Sequence, residues 1–383
     1  MEKWIKSIKG TIPHTNKTVD IKLDGKNLIV TGVNGSGKTS FIKTLDLLIS
    51  HIIIKSEIGL TTFEKTADNL GKKDSLNQKK IIFDFVKEEL FEKLHKENKA
   101  ILKFYEEKRL SEIKQPKTGK QVYANGNDLE QHLLNLVTRQ SFALTQHLFL
   151  DKKEIEENKK LAKNIQNWFN DFENNLKTLF EDESVKLKFD PNTSHFSIIQ
   201  KDKLPFSFQT LSAGYRAIFD IYADLLMHTE YFKIMPNELT GIVLIDEIDS
   251  HLHVSLQRLI LPFFTQSFPK IQFIVTTHSP FVLMSTPDAV VFDLAKNEAI
   301  TDDLSYYTYS AVMKGLWNIK PISIHLENSI KEISKITNSE RKDYKRLKEL
   351  VEATRPYEDA LDSESKVFLL LGIEALEEGG KNV

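Results

Sequence analysis

The chain has 383 residues, 40% of them hydrophobic and 28% charged, with a formal net charge of −2 and no cysteine. That balance is ordinary for a globular protein and leaves no chain-wide field to draw it onto nucleic acid or a membrane surface. The missing cysteines exclude disulfides, zinc-thiolate centres and thiol nucleophiles. The opening residues Met1-Glu2-Lys3-Trp4-Ile5-Lys6 carry no apolar leader core, and the apolar stretch Leu45–Ile54 is too short to span a bilayer. The expectation is therefore a soluble, cytoplasmic protein without membrane contact.

In chain order, Val19–Leu23 alternates like a strand, and Asn27–Thr31 is an apolar run that ends at Gly32, as a buried strand would. From Thr39 the apolar spacing turns helical through Phe41, Leu45, Leu48 and Ile52. Glu57–Gln78 is polar and reads as a loop-rich insertion. Strands are expected at Lys80–Val86 and Ala100–Tyr105, on either side of a charged helix or hairpin around Glu88–Lys99, with a turn at Pro116–Gly119. Helices should cover Asp128–Thr145 and Asp151–Phe180. The second carries Ile165, Trp168, Phe169, Phe172, Leu176 and Phe180 on one face, a pattern that packs into a core. Two short strands follow in Val185–Gln200, about the turn Asp190-Pro191-Asn192. A helix at Leu211–His228, a buried strand at Gly241–Ile245, a helix at Leu252–Phe264 and buried strands at Ile271–Thr276 and Val290–Asp293 complete an alternation that argues for a parallel α/β sheet. Beyond Ser305 the chain is charged and helical through Ile324–Thr354 and again over Glu364–Glu377, and it closes in the tail Gly379–Val383, expected to fray.

Four segments carry chemistry. Gly32-Val33-Asn34-Gly35-Ser36-Gly37-Lys38-Thr39 matches G-x-x-x-x-G-K-[ST] between a strand and a helix. Its glycines let backbone N–H groups turn onto a phosphate, the following helix adds its N-terminal dipole, Lys38 can reach the β- and γ-phosphates, and the Thr39 hydroxyl can hold Mg²⁺. Gly241–Ile245 delivers the adjacent carboxylates Asp246 and Glu247 at a strand end, one suited to a cation shell and one to polarising water. Leu211-Ser212-Ala213-Gly214-Tyr215-Arg216 opens a helix, where Ser212 is either an ordinary N-cap or an anion contact. Ile274-Val275-Thr276-Thr277-His278-Ser279-Pro280 ends a buried strand in polar residues and one imidazole, which can sense a γ-phosphate or simply cap a loop.

The order and spacing of these segments resemble the ABC-type ATPase head of the SMC, RecF and OLD-like proteins, an α/β P-loop NTPase fold. The resemblance implies ATP and Mg²⁺ as cofactors and a Walker A loop at Gly32, Asn34, Gly35, Ser36, Gly37, Lys38, Thr39 and Ser40. It also implies a signature loop at Leu211–Arg216, with Ser212 and Gly214 touching nucleotide on a second copy, and a Walker B strand ending in Asp246. Glu247 would be catalytic, Ser250–His253 a D-loop and His278 the switch histidine. Thr39 and Asp246 would hold the metal. The Q-loop glutamine falls on either Gln140 or Gln146. The runs Leu211–Leu226, Gly241–Pro262 and Gln272–Leu283 are further similar to PtuA-type ATPases of Septu and retron anti-phage systems, which pair with an HNH nuclease. That implies a homo-oligomer, dimer or higher, controlling a separate nuclease subunit. The alternatives are a RecF- or SMC-like repair ATPase that binds DNA directly, or a nucleotide-gated scaffold with little turnover.

The organisation expected is an ATPase core over 1–55 and 205–304, an inserted mixed β/helical subdomain over 56–204, and a C-terminal helical extension over 305–383 for partner docking or oligomerisation. The segment between the phosphate loop and Ser212 has no sustained heptads, which argues against a long coiled-coil arm. Asp359 and Asp362 read as solvated rather than nucleolytic. His251 and His253 lack a third ligand nearby, and the basic clusters Lys79-Lys80 and Arg341–Lys348, interspersed with acids, read as solvated faces although they could touch nucleic acid. Val367–Leu371 and Ile373 are apolar enough to dock a partner or to pack on the chain itself.

Overall fold

The computed structural model describes residues 3–12, 15, 17–58, 82–107, 126–145, 152–300, 302–319, 322–339 and 341–379. The loop-rich insertion up to Gln78, Lys79-Lys80, the turn at 116–119, Gln146 and the final tail beyond Gly379 lie outside these residues or largely so. The strands are β1 (Ile5–Thr11), β2 (Thr18–Lys22), β3 (Asn27–Thr31), β4 (Ile82–Phe85), β5 (Ala100–Tyr105), β6 (Lys186–Asp190), β7 (His195–Ile199), β8 (Thr240–Ile245), β9 (Lys270–Thr276), β10 (Ala289–Asp293) and β11 (Glu298–Ile300). The helices are α1 (Lys38–Ile58), α2 (Glu88–Lys96), α3 (Gly126–Thr145), α4 (Lys152–Phe180), α5 (Ala213–Phe232), α6 (Val254–Gln257), α7 (Ile260–Ser267), α8 (Pro280–Leu283), α9 (Tyr309–Trp317), α10 (Ile324–Thr337), α11 (Tyr344–Thr354) and α12 (Ser363–Gly379).

The main sheet has the order β11-β10-β3-β9-β8-β5. Its five strands from β10 to β5 are parallel, and β11 closes one edge antiparallel. All of β3 and nearly all of β8 and β9 are buried, the continuous burial that a parallel sheet covered on both faces requires. A second, antiparallel sheet runs β2-β1-β4. The two share one apolar core built from Ile5, Ile8, Ile21 and Leu23 together with Leu28, Val30, Phe41 and Leu45. Two buried amides join them: Gln272 accepts from the Ile5 N–H (2.7 Å) and donates to the Lys26 carbonyl (2.8 Å), while Asn27 accepts from Phe273 N–H (2.9 Å) and from Lys3 (2.8 Å). Burying such polar groups is affordable only because each finds a partner. The aromatic face of α4 packs as expected, with Trp168 stacked on Phe172 (5.3 Å) and Phe172 on Tyr222 of α5 (5.2 Å).

Two features depart from the sequence reading. Strand β5, expected inside an insertion at 56–204, is an edge strand of the main sheet and pairs with β8 from Ala100↔Thr240 to Tyr105↔Ile245; β4 likewise belongs to the second sheet. Half-buried strands look alike wherever they lie, and only the lateral pairing shows which sheet owns them. The single helix expected over Leu252–Phe264 is two, α6 and α7. Pro262, in the first turn of α7, has no N–H to give the Arg258 carbonyl, so one hydrogen bond that would carry α6 on into α7 cannot be made.

The chain divides into two compact units, 1–309 and 310–383. The second has its own core, in which Ile330, Ile333, Leu347, Val351 and Leu369 are buried among α10, α11 and α12. Within α12, Leu369 is buried, while Val367, Leu370 and Leu371 stay exposed.

Where β5 meets β8, Gly241 has φ +146°, and a Cβ there would stand 2.2 Å from the Ile101 carbonyl oxygen. Backbone cannot retreat as a side chain can, so Gly241→Ala is expected to destabilise the protein by about 2–4 kcal/mol. A urea melt with an unchanged midpoint would refute this.

Candidate functional site

The phosphate loop lies between β3 and α1. Gly32, Gly35 and Gly37 all have positive φ, at +143°, +77° and +101°. At Gly32 a Cβ would meet Ser36 Oγ at 2.9 Å and the Ala295 nitrogen at 3.0 Å, so the loop closes only with glycine there. Lys17 straps the loop from outside: its ammonium donates to the Leu294 carbonyl (2.8 Å) and the Ser36 carbonyl (3.4 Å). Asn34, Gly35 and Thr39 are exposed, Ser40 is half-buried, and the first turn of α1 carries no acid that would repel an anion.

Lys38 is only 5% exposed, and its ammonium donates to the loop's own Gly32 carbonyl (3.1 Å). Burial pushes its pKa down, against the opposing pull of Glu247, Asp246, Asp249 and Asp293. The Ser36 hydroxyl is buried and has no hydrogen-bond partner among the described residues. A desolvated cation beside an unsatisfied hydroxyl, at a helix N-terminus, fits a phosphate chain.

Strand β8 carries Asp246 to the same end of the sheet, where it is 1% exposed and accepts from the Thr276 hydroxyl (2.6 Å). Glu247 follows in a left-handed turn at φ +46°, its N–H donating to the same hydroxyl (2.7 Å). From the end of β9, His278 Nε2 lies 3.5 Å from Glu247 Oε1. Burial, and then Lys38, lower the His278 pKa, so at neutral pH the ring is neutral and the contact is polar rather than an ion pair. Thr277 donates to Asp249, and Ser279 donates to Gln257 of α6 (2.6 Å). Thr39, in the first turn of α1, and Asp246, at the end of β8, are oxygen donors of the kind that suit Mg²⁺.

The structure thus brings Lys38, Asp246, Glu247 and His278 together. Among the described residues, no hydrogen bond or ion pair links Ser212 or Gly214 to that group. Ser212 is the exposed N-cap of α5, yet its side chain caps nothing, while Gly214 faces Leu256 and the His251 carbonyl. Gln140 donates to Gln166 (3.0 Å) and ties α3 to α4. His253 caps α6, and no cluster of three or more His, Cys, Asp or Glu side chains able to hold a metal ion among themselves occurs among the described residues. No described helix is long and apolar enough to cross a membrane. Sequence reasoning passed over Thr276, Asp249, Lys17 and Glu107. The paired threonines before His278 were the one visible signal, polar residues where a buried strand should stay apolar.

Burial, then the charges of Glu107 and Asp249, hold the Glu247 carboxyl above the usual glutamate range. A carboxyl with a raised folded-state pKa costs stability once ionised, and that cost sets in as pH rises from its unfolded toward its folded value. Glu247→Gln should therefore raise the melting temperature of the nucleotide-free protein near neutral pH, with the gain shrinking below the ordinary value of 4.5. Equal gains at both pH values, or none, would contradict this.

Comparison with known proteins follows this geometry. The chain is similar to "Retron Ec83 probable ATPase" of Escherichia coli, 33% identical over 174 residues, covering 42% of this chain and 31% of that protein. It is similar to "Septu protein PtuA" of Bacillus mycoides, 41% identical over 95 residues, covering 24% of this chain and 13% of that one. The chain therefore spans about a third or less of the length of these relatives. Among solved structures, the SMC head domain from Thermotoga maritima aligns over 78% of this chain and 97% of its own, at 13% identity and a TM-score of 0.38. Residues 28–285 match the family AAA_21, described as "AAA domain, putative AbiEii toxin, Type IV TA system". That match takes in more than half of the chain and every segment from Lys38 to His278, and the chain belongs to this family of P-loop ATPase domains.

Proposed function

We propose that this chain binds and hydrolyses Mg-ATP and serves as the regulatory subunit of a cytoplasmic anti-phage defence complex, controlling a separate HNH-type nuclease through nucleotide-dependent engagement of two heads. The observation that carries the ATPase reading is the convergence of Lys38, Asp246, Glu247 and His278 at one end of the parallel sheet. Lys38 and the loop amides bind the phosphates. Thr39 and Asp246 hold the divalent cation, which when bound withdraws charge from the β- and γ-phosphates. Glu247 accepts the proton of the attacking water, and neutral His278 orients the γ-phosphate; the products are ADP and phosphate. Ser212, an N-cap with its hydroxyl unspent, and Gly214 serve nucleotide held by a second copy. The defence role is supported by the similarity to retron and Septu proteins.

Binding and turnover are tested separately. Lys38→Ala should weaken binding of a fluorescent ATP analogue by about 2–5 kcal/mol, the cost of removing one partner of a buried charge contact. Glu247→Gln should keep that affinity while lowering kcat about 10²–10⁴-fold. Unchanged binding in the first, or unchanged turnover in the second, defeats the reading. For engagement, light scattering with ATP should show Glu247→Gln as a dimer or larger, and Ser212→Arg should abolish this. Copurification with a nuclease encoded beside this chain tests the partner.

A further inference from the structure

A fully buried strand position normally takes an apolar side chain. Ile274 and Val275 obey this in β9, and Thr276, equally buried, does not. A buried hydroxyl costs stability unless its hydrogen bonds are made. Here they are made, and every partner lies in one three-residue turn. The hydroxyl donates its single proton to Asp246 Oδ1 (2.6 Å) and accepts the Glu247 N–H (2.7 Å); the Thr276 carbonyl accepts the Ile248 N–H (3.0 Å).

The polarity of this arrangement is set. A hydroxyl has one proton, so giving it to Asp246 Oδ1 leaves only lone pairs for the Glu247 N–H. Glu247 meanwhile sits at φ +46°, a backbone region that is strained for any residue but glycine. Its N–H bond to Thr276 is one of the contacts that offsets this. The same residue thus fixes the plane of one carboxylate and the chain direction that aims the other.

We propose that Thr276 is the positioning residue of this site: through its hydroxyl and carbonyl it holds Asp246, Glu247 and Ile248 in the single arrangement that presents both carboxylates to the phosphate loop. The inference rests on the ATPase reading above and extends it to a residue that touches neither nucleotide nor water. β9 continues directly through Thr277 to His278, so the strand that holds the carboxylate turn also carries the histidine.

Thr276→Val keeps shape, volume and carbonyl while deleting the hydroxyl; Thr276→Ser keeps the hydroxyl. Two readouts apply to the full chain: Mn²⁺ affinity in the presence of a non-hydrolysable ATP analogue, by electron paramagnetic resonance, and steady-state hydrolysis. The valine variant should lose about tenfold or more in Mn²⁺ affinity and in kcat, with KM for ATP within about twofold, the scale seen when partners of metal ligands are removed. The serine variant should recover both to within about threefold. If valine fails to fold by circular dichroism, Thr276→Ala takes its place with the same expectations. A hydroxyl-free variant matching wild type in Mn²⁺ affinity and kcat, or a serine variant no better than valine, overturns the role of Thr276 and leaves the ATPase reading standing. A wild type that binds neither the analogue nor Mn²⁺ overturns both.

Discussion

The site depends on the position of β9 between β3 and β8. All three run parallel, so their C-terminal ends reach the same edge of the sheet, with Val30 level with Thr276 and Ile245 with Val275. The backbone continues the alignment past the strands: Thr277 N–H donates to the Val30 carbonyl, and Ile248 N–H to the Thr276 carbonyl, each at 3.0 Å. A phosphate-binding loop, a carboxylate turn and a histidine from distant parts of the chain are thereby locked into one frame. In an open parallel sheet this carboxyl edge is where ligands bind, because helix N-termini and strand ends converge there.

Electrostatics completes what the strands arrange. Lys38 is buried within reach of the charges of Glu247, Asp246, Asp249 and Asp293, and each raises its pKa against the larger effect of desolvation. The carboxylates in turn crowd one another, and Glu247 is held up by burial and by Glu107 and Asp249. One ammonium facing several carboxylates is a setting that a divalent cation would suit, and a buried ammonium at a glycine loop is one that a phosphate would suit. Neutral protein neighbours could supply neither. Thr276 and Thr277 each give a hydroxyl to that crowded turn, and Ser279 ties the same strand end to Gln257 of α6.

The same economy appears away from the chemistry. Gln272 and Asn27 join the two sheets through buried amides, so the β1–β2–β4 layer is held to the strand that carries His278 and to the strand that precedes the phosphate loop. The helical unit at 310–383 has a core of its own, closed on Ile330, Ile333, Leu347 and Leu369. Gly372 permits this: a Cβ there would stand 2.7 Å from Ile333 Cγ2, so α10 and α12 approach only where that atom is absent.

By itself the sequence determined the buried strands, the helix after the phosphate loop and the identity of the groups that meet there. Asp246, Glu247 and His278 stand where apolar runs give way to polar residues, and Lys38 closes a glycine-rich loop between a strand and a helix; both patterns are legible without coordinates. Local patterning could not show lateral order. Only the tertiary structure decided that β5 belongs beside β8, that Pro262 splits one helix into two, and that Gln140 serves a helix contact. It also decided that Thr276, which the sequence shows only as a polar residue at a strand end, bonds to both carboxylate positions. The physical reason is that periodicity reports which face of an element is buried, whereas a hydrogen bond between residues 30 apart, such as Thr276 to Asp246, exists only after the strands have chosen their neighbours.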